Sequence, residues 1–369
     1  VTSPVIGIVG SAGAYGRWLQ RFLQERMGLR VIGHDPADPD SLDEAALVAQ
    51  ADVLVFSAPI RQTESLIRRY VALAAGSERG KLWLDITSIK QAPVAAMLES
   101  QAEVVGLHPM TAPPKSPTLK GRVVVVCEGR LERWRPWLRT LCEALEAQYV
   151  QASPEHHDRV MALVQAMVHA THLAQAGVLG DYAPLLGELQ ALMPYRSASF
   201  ELDTAVIARI LSLNPAIYED IQFGNPYAGE MLDRLLAQLG ELRALVKQGD
   251  DAARARFREK FLLGNRQALG GTALAQGNYS YERVGYLLAD LTEELALSVY
   301  LPEDRAGSLR VLLHVFERHG VNLASIHSSR TPAGELHFRI GFDPGSEPAA
   351  LARAAEEIDR AGIGRVLPR

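Results

Sequence analysis

With 369 residues, 48% hydrophobic and 22% charged, and a formal net charge of −5, the chain has the makeup of an ordinary globular protein of two or three domains. It has no long lysine/arginine cluster, which argues against a nucleic-acid partner, and no apolar run reaches the ~18–20 residues that span a bilayer. The amino terminus enters an apolar strand without the basic, apolar, small-residue order of a signal peptide. Cys127 and Cys142, the only cysteines, lack a paired spacing, so reduced packing residues and a cytoplasmic location are expected.

Residues 1–152 alternate short β-rich runs with helical patterns. Strands are predicted at Val5–Val9, Val31–Gly33, Val53–Ser57, Leu82–Asp85, Val104–Leu107 and Val123–Cys127, and helices at Tyr15–Met27, Thr63–Ala75 and Pro93–Gln101. Near-continuous apolar strands between helices imply a parallel sheet covered on both faces, a doubly wound α/β domain of Rossmann type. Residues 153–292 read as an all-α domain that opens at Ser153-Pro154, a capping hydroxyl followed by proline. The helix from about Glu155 to Ala176 is apolar on nearly every side after its first turn, which predicts a buried helix and suggests a dimer interface. Residues 293–369 follow a βαββαβ order, with strands at Leu295–Leu301, Val321–Ser328, Glu335–Phe342 and Gly364–Leu367, a ferredoxin-like pattern.

Gly10, Gly13 and Gly16 follow the first strand and open the first helix, with Ala14 and Tyr15 between them. This G-x-x-G-x-x-G spacing suits a tight turn, close approach of a pyrophosphate to a helix N-terminus, and helix–strand packing. Asp35 closes the second strand, where an acid binds ribose hydroxyls and repels a 2′-phosphate, so NAD is favoured over NADP. Arg17 and Arg30 lie near enough in sequence to favour NADP instead.

His169 lies midway along the apolar helix, where it is either a hydrogen-bonded core histidine or a general base. His172 is one turn on, but no acid or cysteine joins the two at ligand spacing, so no metal is expected. Arg209, in the apolar run before Asn214-Pro215, needs a carboxylate partner. Glu201, Asp203, Glu219 or a substrate carboxylate would serve.

Together, Gly106-Leu107-His108-Pro109-Met110, Asp85-Ile86-Thr87-Ser88-Ile89-Lys90, the helical Gln165-Ala166-Met167-Val168-His169, and Ala208-Arg209 through Pro215-Ala216-Ile217-Tyr218 with Asn225 resemble the prephenate dehydrogenase family, over about Ile6 to Phe261. The resemblance implies NAD-dependent oxidative decarboxylation of prephenate to 4-hydroxyphenylpyruvate in tyrosine biosynthesis, with arogenate or 4-amino-4-deoxyprephenate as alternative substrates. It implies His169 as the base, Ser116 as a second contact to the 4-hydroxyl or to His169, and Arg209, Tyr218 and Asn225 as substrate contacts. Ser57, Ala58, Pro59, Ser88 and His108 would line the cofactor side of a cleft between the first two domains. After His-Pro-Met the family usually has a glycine and later a Ser-Gly pair, where this chain reads Thr111-Ala112-Pro113-Pro114-Lys115-Ser116-Pro117.

The C-terminal region resembles the ACT regulatory fold through Asp304-Arg305-Ala306-Gly307-Ser308-Leu309 and the run from Val321-Asn322-Leu323 to Arg330. That resemblance implies an aromatic amino-acid effector, tyrosine first and phenylalanine second, held by Gly307, Ser308, Leu309, Asn322 and Leu323. The alternative is a domain kept only for dimerisation. A homodimer is expected because both kinds of domain tend to pair. Two other functions fit parts of the pattern: a β-hydroxyacid or imine-type reductase, and a catalytically silent amino-acid sensor.

Overall fold

The computed structural model describes residues 3–113, 116–292, 295–302, 305–330 and 336–367. Pro114, Lys115, Asp304 and Glu335 therefore lie outside the described residues. The chain forms two compact units, one running through Ala244 and the other from Leu245 onward, with residues 115–117 grouped in the second.

The first unit is built on seven strands: β1 (Ile6–Val9), β2 (Val31–His34), β3 (Val53–Phe56), β4 (Leu82–Asp85), β5 (Glu103–Pro109), β6 (Val123–Arg130) and β7 (Gln148–Gln151). They lie side by side in the order β2-β1-β3-β4-β5-β6-β7. Strands β1 to β5 are parallel, as their crossover helices require: α1 (Ala14–Glu25), α2 (Glu44–Gln50), α3 (Ile60–Ala74) and α4 (Gln91–Leu98). The expected all-parallel sheet is corrected at β6, which runs antiparallel to β5. No helix lies among the described residues between them, and only a long crossover returns a strand in parallel. Edge strand β7 escaped the sequence reading because Gln148-Tyr149-Val150-Gln151 is short and half polar; it runs parallel to β6 after α5 (Arg135–Leu145).

One face of the sheet buries Ile6, Ile8, Val55, Leu84 and Leu107 with Trp18, Phe22, Leu138 and Leu141 of α1 and α5. The other buries Leu54, Phe56 and Trp83 with Leu47, Ile67, Tyr70 and Met97 of α2 to α4. This two-sided burial leaves the carboxyl ends of the parallel strands as the place where functional side chains emerge.

The helical layer begins with α6 (Pro154–Met161), capped by Ser153 Oγ, which accepts from His156 N at 3.1 Å. Ala162–Met167 forms a π-helical turn before α7 (Val168–Leu186). There follow α8 (Leu189–Leu192), α9 (Ala198–Ser212), α10 (Pro215–Gly224) and α11 (Ala228–Gln248). The expected burial of the helix through His169 is corrected: no residue of α7 is buried, and Leu163, Val164 and Val178 are each more than half exposed. Much of its apolar surface stays exposed in a single chain, and such a surface marks an interaction face.

The second unit contains α12 (Asp251–Phe257), a second π-helical turn at Arg258–Gly264, α13 (Asn265–Leu269) and α14 (Gly271–Thr292). It ends in the βαββαβ fold: β8 (Ala296–Leu301), α15 (Ser308–Arg318), β9 (Leu323–Arg330), β10 (Leu336–Phe342), α16 (Pro348–Arg360) and β11 (Arg365–Leu367). Its antiparallel sheet has the order β11-β8-β10-β9 and buries Val299, Phe338 and Ile340 against Leu312, Phe316 and Ile358.

Candidate active site

The loop from β1 to α1 turns at Gly10, whose φ of +85° excludes an ordinary side chain; a Cβ there would also stand 2.3 Å from Ser57 O. A Cβ on Gly16 would meet Gly10 O at 2.1 Å, so the helix reaches the strand only because that atom is missing. Beside the loop lies a cavity of about 760 Å³ lined by Gly10, Gly13, Asp35, Ser57, Ala58 and Pro59, together with His34, Glu44 and Arg69. Asp35 accepts from Ala12 N at 3.0 Å and Ala37 N at 2.9 Å, bracing the loop while keeping lone pairs for ribose hydroxyls. The loop and this carboxylate fit a dinucleotide. Ala14 and Tyr15 open α1 just beyond the loop, and Tyr15 donates its hydroxyl to Thr111 O at 3.2 Å. The cation in the cavity is Arg69, not Arg17 or Arg30. Arg17 donates to Ala12 O, and Arg69 pairs with Glu44.

At the carboxyl end of β5, His108 is 3% exposed and its Nδ1 lies 2.9 Å from His157 Nε2. His157 Nδ1 lies 2.7 Å from Asp158 Oδ1, and both of these side chains are fully buried. Asp158 also accepts from Lys90 N at 2.8 Å and Gln91 N at 2.9 Å, capping α4 from the first turns of α6. A carboxylate oxygen that takes backbone N–H groups suits an acceptor role towards the His157 ring as well, and that role orders the donors along the chain of rings. In that order a neutral His157 donates from Nδ1 and accepts at Nε2, and His108 donates from Nδ1, which assigns the acceptor role to its Nε2. Burial above all holds His108 well below the ordinary histidine value, so it rests neutral.

Lys90 is itself fully buried, paired with Asp85 and donating to Leu107 O at 2.8 Å. Thr87 Oγ1 donates to Asp85 at 2.6 Å. Replacing Lys90 with methionine strands a buried carboxylate, and chemical denaturation should show a loss of about 3–5 kcal/mol. A loss under about 1 kcal/mol would mean that Asp85 takes up a proton at little cost.

In the helical layer, His169 lies edge-on to Tyr218, with ring centroids 4.8 Å apart. His169 Nδ1 and Gln165 Oε1, one turn apart, are buried without a hydrogen-bond partner. Burial, followed by the nearby His172, lowers the His169 pKa. Arg209 acts electrostatically on Tyr218, yet none of its expected protein partners engages it. Glu201 pairs with Arg196, Asp203 lies 3.4 Å from His172, and Glu219 lies 3.7 Å from Arg61. Among the described residues, no carboxylate pairs with the exposed Arg209. Helix α10, which carries Tyr218, closes on the loop before α4: Gly224 faces Ile89 so tightly that a Cβ would stand 2.5 Å away. Ser88, the next residue, is half-buried in that loop.

Asn225, expected at the substrate, acts as a brace within the protein. Its amide donates to Asp158 O at 2.8 Å and accepts from Tyr227 N at 2.9 Å, at 5% exposure. Ser116 is grouped with the second unit. In that second unit the expected effector residues divide between two cavities. Gly307, at φ +97°, and Ser308 line one of about 430 Å³ with Arg305 and Arg310. Asn322 and Leu323 line another of about 870 Å³, and Leu309 lines neither.

A glycine-turned nucleotide loop, a braced acid at the end of β2 and titratable groups at the strand ends define a Rossmann-type nucleotide-binding oxidoreductase. Residues 35–151 match the nucleotide-binding domain of prephenate dehydrogenases, and residues 153–261 match their dimerization domain. The chain belongs to the prephenate dehydrogenase family. It is 32% identical over 271 residues to a 4-amino-4-deoxyprephenate dehydrogenase of Streptomyces pristinaespiralis, covering 66% of this chain and 85% of that protein. It is 28% identical over 314 residues to a probable arogenate/prephenate dehydrogenase of Methanocaldococcus jannaschii, covering 80% of this chain and 67% of that one. The chain spans less than two thirds of the T-proteins it also matches. The prephenate dehydrogenase of Aquifex aeolicus, solved with hydroxyphenyl propionate and NAD+, shares the fold at a TM-score of 0.57 and 18% identity, covering 71% of this chain and 97% of that one. Among the described residues no helix is long and apolar enough to cross a membrane, and no cluster of metal-ligating side chains occurs.

Proposed function

We propose that the chain is a NAD-dependent prephenate dehydrogenase in which His108 is the general base. The observation that carries this reading is the buried Asp158–His157–His108 relay, which fixes one ring nitrogen and leaves the other ready to accept. The expected base, His169, has no carboxylate to orient it, and its orphaned Nδ1 beside Gln165 Oε1 instead suits hydrogen bonding to substrate. Arg209, which pairs with no carboxylate among the described residues, holds the substrate's carboxylate bidentately, and Tyr218 walls the ring. His108 takes the 4-hydroxyl proton as hydride leaves C4, and returns it to the phenolate oxygen formed as carbon dioxide departs. NAD, when bound, supplies the hydride acceptor. Ser88, at the mouth of the loop, and the backbone of Ser57 to Pro59 position the nicotinamide half. Ser116 is assigned the second contact to the 4-hydroxyl.

On this reading residues 1–152 hold the cofactor, 153–292 the substrate, and 293–369 form an ACT-like sensor for tyrosine or phenylalanine. The exposed apolar face of α7 is covered by a second copy in a homodimer. NAD reduction measured in parallel with prephenate, arogenate and 4-amino-4-deoxyprephenate tests the assignment, and prephenate is expected to turn over best. Preference for an amino substrate keeps the mechanism and changes the substrate; no turnover despite NAD binding favours the silent sensor. Repeating the assay with tyrosine and then phenylalanine tests the C-terminal domain, with tyrosine expected to inhibit more strongly.

A further inference from the structure

We propose that Glu44 sets cofactor choice by silencing Arg69, so that the cavity takes a dinucleotide with a free 2′-hydroxyl and rejects one carrying a 2′-phosphate. This inference rests on the dinucleotide reading of the cavity beside the glycine loop.

A 2′-phosphate needs a cation, and arginine is the residue suited to gripping it. The cavity contains one at the right end: Arg69, on α3, lines the same space as Asp35. Its guanidinium is already bonded to Glu44, in the first turn of α2, whose carboxylate also lies 3.7 Å from His34 Nε2. Glu44 is 23% exposed and Arg69 is 59% exposed, so the acid is the better-held partner and the base the one free to swing if released. With the pair intact, an incoming phosphate meets two carboxylates and a cation already spent.

Asp35 is the usual suspect for this choice, but here it cannot be tested cleanly. Both of its oxygens accept backbone N–H groups, from Ala12 and Ala37, so removing them loosens the glycine loop as well. Glu44 accepts no backbone bond from that loop, and changing it alters charge without touching the turn.

Dissociation constants for NAD and NADP, measured by isothermal titration calorimetry without substrate, test the idea. In E44Q the ratio Kd(NADP)/Kd(NAD) should fall about tenfold, the scale of one released charged hydrogen bond. In E44Q/R69Q that gain should vanish, and in R69Q alone the ratio should not fall. An unchanged ratio in E44Q overturns the proposal, as does a gain that survives in the double variant, because simple loss of negative charge would then explain it. Should E44Q not fold, R69Q still decides: an NADP affinity about tenfold weaker than in the unaltered protein means Arg69 was never silenced. Failure of the unaltered protein to bind NAD would instead remove the dinucleotide reading itself.

Discussion

In His108→Asn, kcat should fall by about 10²–10⁴-fold while the thermal transition and NAD binding persist. The relay makes this expectation specific. Its buried carboxylate can stabilise a proton arriving at His108 Nε2 only through two aligned imidazoles, and an asparagine ends that path. His169→Asn should behave differently, raising KM while kcat stays within about tenfold, since the role proposed for His169 is to hold substrate and not to take its proton. The reverse pattern, a kcat collapse in His169→Asn with His108→Asn near normal, would return the base role to the helical histidine. The pH profile follows with its sign fixed. A base must start neutral, and His108 is held well below the ordinary value of 6.5. Activity in kcat/KM should therefore persist below pH 6.5 and fall only on further acidification. A limb centred above that value would mean that another group limits the rate.

Arg209→Ala should raise KM by about 10–100-fold with a smaller change in kcat, the scale of a charged hydrogen-bonded pair. Among the described residues no acid pairs with this guanidinium: Glu201, Asp203 and Glu219 all have other partners. Thermal stability should therefore hardly move. A destabilised protein with unchanged KM would show instead a structural arginine. Lysine at this position should recover part of the affinity, because it restores charge but not the bidentate fork.

Much of this arrangement was legible in the sequence, since strands covered on both faces are apolar throughout and the glycine loop has a spacing that sterics dictate. Strand β7 was missed because an edge strand buries little and so carries a weak pattern. The antiparallel turn to β6 was missed because direction depends on the connection, not on the strand's own residues. The apolar helix through His169 was read as buried, but its composition records a need for covering that one chain does not meet. In the site, His157 and Asp158 looked like the polar first turn of a helix. Only the fold brings them under β5, so their one available signal was an acid beside a histidine just after a helix cap. Likewise Glu44 and Arg69, 25 positions apart, meet only when α2 and α3 lie side by side.

The π-helical turn at Ala162–Met167 amounts to one residue inserted into an otherwise α-helical rod. Upstream, His157 and Asp158 are locked to β5 and α4; downstream, His169 faces Tyr218. Each residue of an α-helix advances about 100° around the axis. The extra residue therefore acts as an angular offset, and deleting one position there would swing His169 about a quarter turn away from Tyr218. The aim of His169 relative to His157 and Asp158 is thus stored as a count of residues, a setting that no side-chain exchange within the turn can reproduce.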